Sequence, residues 1–175
     1  RYRSRDLDDA RARVQLFGSG AILNCTLAAQ DILADKYNIA SDVWSLTSYT
    51  QLRREAASCE RWNMLHPTEP PRQSYLETSL AGVEGPFIAA SDYVRALGEQ
   101  LTPWVPGDYS VLGTDGMGRS ETREALRRHF EVDAESITIA ALSRLAKQGV
   151  LTHKDVQDAI SELGYDAEKP DPYFA

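Results

Sequence analysis

The chain has little of what most enzyme chemistries need. Of its 175 residues only two are cysteine and three are histidine. Cys25 and Cys59 make neither a metal-ligand spacing nor a disulfide framework, and no catalytic or metal site is expected. His66, His129 and His153 are too scattered to meet a second histidine, cysteine or carboxylate at zinc-site spacing. No nucleophile-elbow sequence is present, so a serine hydrolase triad has no anchor. Basic excess is missing too: the net charge is −7, which argues against a nucleic-acid binder. Arg53–Arg54 and Arg127–Arg128–His129 are local basic clusters, but glutamates flank them and each reads as a solvated helix face. No apolar run approaches the roughly 18 residues that a membrane span needs. The N-terminus lacks the apolar core of a secretory signal. It also lacks methionine, and the charged opening reads as the middle of a longer polypeptide. A reducing cytoplasm fits the cysteine usage.

What remains is ordinary globular composition, 42% hydrophobic and 26% charged, in enough chain for one domain. Residues 1–12 read as an arm or linker, with a short extended start at Tyr2, and 13–175 as the domain. Short apolar runs predict strands at Arg13–Phe17, Asp42–Leu46, Pro86–Ala90 and Asp108–Leu112. Pro86–Ala90 is apolar almost throughout, as in a sheet covered on both faces. Helical spacing of Ile22, Cys25, Ala29, Ile32 and Leu33 predicts a helix from about Ala21 to Lys36. Capping boxes open helices at Ser48-x-x-Gln51 and Thr152-x-x-Asp155. Ser74–Ala81 reads as a short helix, and Ser91 or Asp92 caps another through about Leu101. A helix with Ile137, Ala141 and Leu145 inside runs from about Ala134 to Gln148. Prolines at 67, 70 and 71 predict an irregular stretch from Arg61 to Arg72. The alternation implies an α/β three-layer sandwich around a mostly parallel mixed sheet.

Functional loops in such folds lie at the carboxyl ends of strands. That draws attention to Gly18–Gly20, Thr47–Ser48, Ser91–Asp92 and, above all, Gly113–Ser120. The last is a glycine-rich loop entering a helix predicted to begin near Ser120. Gly113, Asp115, Gly116, Arg119 and Ser120 form a candidate loop or anion site, and Asp115, Arg119, Ser120 and Arg123 are the densest polar group at that edge. Arg119 is expected either to pair with Asp115 or to hold an anion; a structural lock is the favoured reading. Gly18-Ser19-Gly20 lacks the third glycine of a dinucleotide fingerprint and reads better as a turn. Arg61, Trp62, Met64 and His66 form a candidate interface, with an internal plug over the core as the alternative.

Long segments carry a resemblance: VQLFGSGAIL (14–23), SDVWSLTSYTQLRRE (41–55), CERWNMLHP (59–67), residues 90–133 and ITIAALSRLAKQG (137–149). Together they resemble the C-terminal, transketolase-like third domain of the homodimeric bacterial pyruvate dehydrogenase first component. Met117 stands where that family more often has phenylalanine. The resemblance implies a sheet of about five strands and a parent enzyme that decarboxylates pyruvate and acetylates lipoyl groups. It implies thiamine diphosphate and magnesium held by other domains, with none bound by this chain. It further implies three partners: the remaining domains, a second subunit and a dihydrolipoyl acetyltransferase core. None of the family's catalytic residues maps onto this chain. The rival reading is a regulatory module that binds an anion or nucleotide at one of the glycine loops.

Overall fold

Alternating apolar runs form the strands β1 (Arg3–Arg5), β2 (Ala12–Gly18), β3 (Ile39–Ser45), β4 (Phe87–Ala90) and β5 (Tyr109–Leu112). In the computed structural model, which describes residues 1–175, they make one sheet in the order β1-β3-β2-β4-β5. β3, β2, β4 and β5 run parallel, and β1 joins the edge antiparallel to β3. The helices are α1 (Leu23–Tyr37), α2 (Tyr49–Leu65), α3 (Tyr75–Leu80), α4 (Arg95–Glu99), α5 (Arg123–His129), α6 (Ala134–Lys147) and α7 (His153–Glu162). This is the mostly parallel α/β sandwich that the sequence pattern predicts.

Strand side chains alternate between two cores, because successive residues point to opposite faces of a sheet. Val14, Leu16, Ile88 and Ala90 face α1 and α6, where Ala29, Leu33, Ile137, Ala141 and Leu145 complete the larger core. Phe17, Phe87 and Ala89 face the other way, packing with Leu46, Tyr49, Leu76, Leu80 and Leu101. Burial on both faces explains the uninterrupted apolar run of β4.

The N-terminal residues are tied down by charge. Asp42, mid-strand and 2% exposed, accepts from Ser4 Oγ at 2.5 Å and pairs with Arg13 at 3.2 Å and Arg1 at 3.5 Å. Arg3 and Arg5 both reach Asp31 on α1. A buried carboxylate needs such partners.

Several boundaries differ from expectation. β3 starts at Ile39, three residues ahead of Asp42; a charged residue read as a strand end sits inside because the arm neutralises it. The irregular stretch predicted from Arg61 is helical to Leu65. Proline acts on its own position and the one before it, so the helix yields only at its C-cap His66, next to Pro67 (φ −127°, ψ 59°). Thr122 rather than Ser120 caps α5, accepting from the Ala125 amide at 3.3 Å. Neither Ser91 nor Asp92 caps α4, whose N-cap is Val94 with no side-chain bond of its own.

Candidate functional site

The parallel strands deliver their following loops to one edge of the sheet, where the two glycine loops meet. A cleft of about 570 Å³ opens between them and α5. The β2 loop contributes Ala21 and Ile22, the β4 loop Asp92, and the β5 loop Thr114, Gly116 and Gly118. From α5 come Arg123, Leu126 and Arg127, with Phe130 and Val132 beyond it.

The predicted site residues divide in two. Gly113 packs so close to the β4 loop that a Cβ there would lie 2.5 Å from the Tyr93 carbonyl oxygen. Asp115 accepts from the Arg95 amide at 3.2 Å and faces the Arg95 guanidinium at 3.6 Å. It therefore supplies the first turn of α4 with the acceptor that Val94 lacks. The partner of Asp115 is Arg95, not Arg119. Thr114 Oγ1 donates to the Asp92 carbonyl at 3.0 Å, a second tie between the loops. Gly116 has φ +101°, in the region that glycine tolerates, and lies against the C-terminal tail at Pro172. Gly116 lines the cleft, whereas Arg119 and Ser120 are exposed outside its lining.

The sequence places Arg123 in the polar group at this edge but reads Arg127 as part of a solvated helix face, and it does not pair the two. They stand four apart on α5 and both line the cleft. Their neighbour Arg128 pairs with Asp133 at 2.7 Å and Glu135 at 3.2 Å, but Arg123 and Arg127 pair with no carboxylate. Arg127 instead faces the Cys25 thiol, whose pKa burial pushes up above its usual value. The i, i+4 spacing of arginines after a glycine loop was the available signal. It was masked by Glu121 and Glu124, which pair with neither.

The candidate interface residues sit at the end of α2. His66 stacks on Trp62 with ring centroids 4.4 Å apart, and Arg72 lies 3.9 Å from the same indole ring. Asn63 and Arg72 exchange two hydrogen bonds, of 2.9 and 2.8 Å, pinning the proline loop to the helix. Arg61 is exposed, and so are Met64 (70%) and Leu65 (51%), which have no cover.

His129 is half-buried, edge-on to Phe130, and its Nε2 has no hydrogen-bond partner. Lost hydration, then the charges of Arg119 and Lys169, lower its pKa below 6.5, with Glu131 opposing. The folded chain thus binds fewer protons here than the unfolded chain. Stability is held above about pH 6.5 and falls as the pH drops through that value. Urea midpoints measured from about pH 7.5 to about pH 5 are expected to fall, and His129→Gln to flatten the slope.

Residues 1–133 match the transketolase-like TK C-terminal domain family model, so the chain belongs to that family. It is 47% identical to the pyruvate dehydrogenase E1 component of Escherichia coli (strain K12), over 99% of this chain and 20% of the relative. The component of the same name from Cupriavidus necator is 50% identical over 91% of this chain and 18% of its own length. That from Pseudomonas aeruginosa is 46% identical over 95% and 19%. The chain is homologous to the C-terminal portion of these enzymes and spans about a fifth of their length. Among solved structures, a split-gene transketolase described as an inactive beta4 tetramer superposes with a TM-score of 0.55 at 18% identity. It covers 82% of this chain and 42% of that one, and it shows the shared fold. No helix of the structure is long and apolar enough to cross a membrane.

Proposed function

We propose that the chain is an assembly and architecture domain of a pyruvate dehydrogenase first component, and that it is not catalytic alone. The parent enzyme decarboxylates pyruvate and reductively acetylates lipoyl groups in the bacterial cytoplasm. The observation that carries this reading is 47% identity along 99% of the chain to a relative of which it forms a fifth. Identity at that level over nearly the whole chain supports placing it in the parent polypeptide.

Thiamine diphosphate with magnesium calls for oxygen ligands gathered around a metal. Nowhere in the structure do three His, Cys, Asp or Glu side chains converge to hold a metal ion, and the cleft offers arginines beside a single aspartate. The reading assigns thiamine diphosphate and its magnesium to the remaining domains.

The surface supports a role in assembly. Met64, Leu65 and Tyr75 are exposed large hydrophobics at the α2 and α3 side. Tyr93, Val94, Met117, Tyr173 and Phe174 are exposed around the β5 loop and the tail. Exposed apolar clusters of this kind mark interaction surfaces. Their partners in this reading are the other domains, a second subunit and the dihydrolipoyl acetyltransferase core. Met64→Glu with Leu65→Glu in the full-length polypeptide is expected to weaken the dimer. Sedimentation equilibrium reads the change, and an unaltered dimer constant removes the α2 end from the interface.

A further inference from the structure

We infer that the cleft between the glycine loops is a binding site for a small organic anion, seated on Arg123 and Arg127. Topology is the first reason. The chain leaves β2 toward β3 on one side of the sheet, while β4 lies on the other side of β2. The loops after β2 and β4 therefore part company, and open α/β sheets hold their ligands in the crevice at such a switch point. Ile22 from the first loop and Asp92 from the second both line this one cleft.

Chemistry is the second reason. Arg123 and Arg127 are one helical turn apart and reach the same space without a carboxylate partner. The third arginine of that helix has taken two. Guanidinium groups hold carboxylates and phosphates through paired, charge-assisted hydrogen bonds. Leu126, Phe130 and Val132 give the cleft an apolar wall, and its 570 Å³ falls in the usual range for small-molecule sites. Asp92 sets the other requirement. Its carboxylate lies beside Gly20, Oδ1 being 3.6 Å from where a Cβ would stand. An anionic group is disfavoured at that end of the cleft, whereas a hydroxyl or amino group would be bonded. The class is a small organic acid or phosphate ester with an apolar body, held better where it also carries a hydroxyl or amino group for Asp92. The site does not depend on the pyruvate dehydrogenase reading and stands or falls separately from it.

Titration of the ¹⁵N-labelled full chain tests it, with phenyl phosphate and mandelate as probes and benzyl alcohol as the neutral control. Saturable amide shifts are expected at Gly20, Thr114, Gly116 and Gly118 with at least one anion. Saturation by phenyl phosphate alone marks a phosphate site, and by mandelate alone a carboxylate site. Arg127→Gln and Arg123→Gln, each checked for native circular dichroism, should weaken binding about tenfold or more. The inference is overturned if neither anion saturates by roughly 10 mM. It is equally overturned if benzyl alcohol binds as well, or if the arginine variants bind unchanged.

Discussion

Phe17→Ala is expected to destabilise the chain by about 3–5 kcal/mol, the cost typical of emptying a large aromatic site in a packed core. Phe17 is 1% exposed. Its ring meets Phe87 at 5.5 Å, Tyr109 at 6.1 Å and Trp44 at 6.3 Å between centroids, so β2 loses contact with β4, β5 and β3 together. It also precedes Gly18, where a Cβ would stand 2.9 Å from Leu23 Cα, so the strand end and α1 are in direct contact. Urea denaturation reads the loss. A change below about 1 kcal/mol would mean that the second core repacks freely, contrary to the close packing of protein interiors.

Gly116→Val should release the C-terminal tail. At φ +101° a β-branched residue is an outlier, and leaving the right-handed conformations costs about 1–2 kcal/mol before any contact is counted. A Cβ at this position would also fall 2.0 Å from the Pro172 carbonyl oxygen, a backbone atom that cannot swing aside. The loop and tail must separate, and residues 165–175 should become the first site of limited proteolysis. Gly118→Ala is the matched control: a Cβ there would meet nothing within 4 Å and its φ is not positive, so it should leave the tail docked. Equal proteolysis of both variants would show that the tail is not held at Gly116.

The sheet was legible because local pattern and final burial agree. Pro86–Ala90 reads as a doubly covered strand, and Phe87–Ala90 is buried throughout. The capping box at Thr152 and Asp155 is present with both reciprocal bonds, because it needs nothing beyond four consecutive residues. What was illegible depends on residues far apart. Asp42 looks like a strand end until Arg1, Ser4 and Arg13 are seen around it. Asp115 looks like a partner for Arg119, four residues on, yet the fold brings Arg95 from the start of α4. The β-branched start of Ile137-Thr138-Ile139 is helical because Asp133 caps it, accepting from the Ser136 amide at 2.9 Å. The pairing of Arg123 with Arg127 was hidden for the same reason: only the meeting of three loops gives them a common cleft to face.

If this domain shapes a larger enzyme without performing its reaction, the isolated chain is inactive. The direct test is pyruvate decarboxylation by the 175-residue chain supplied with thiamine diphosphate and magnesium. It should run beside the full-length polypeptide and a mixture of the chain with the remaining domains. No carbon dioxide release above the cofactor blank is expected from the chain alone. Turnover by the isolated chain would contradict it.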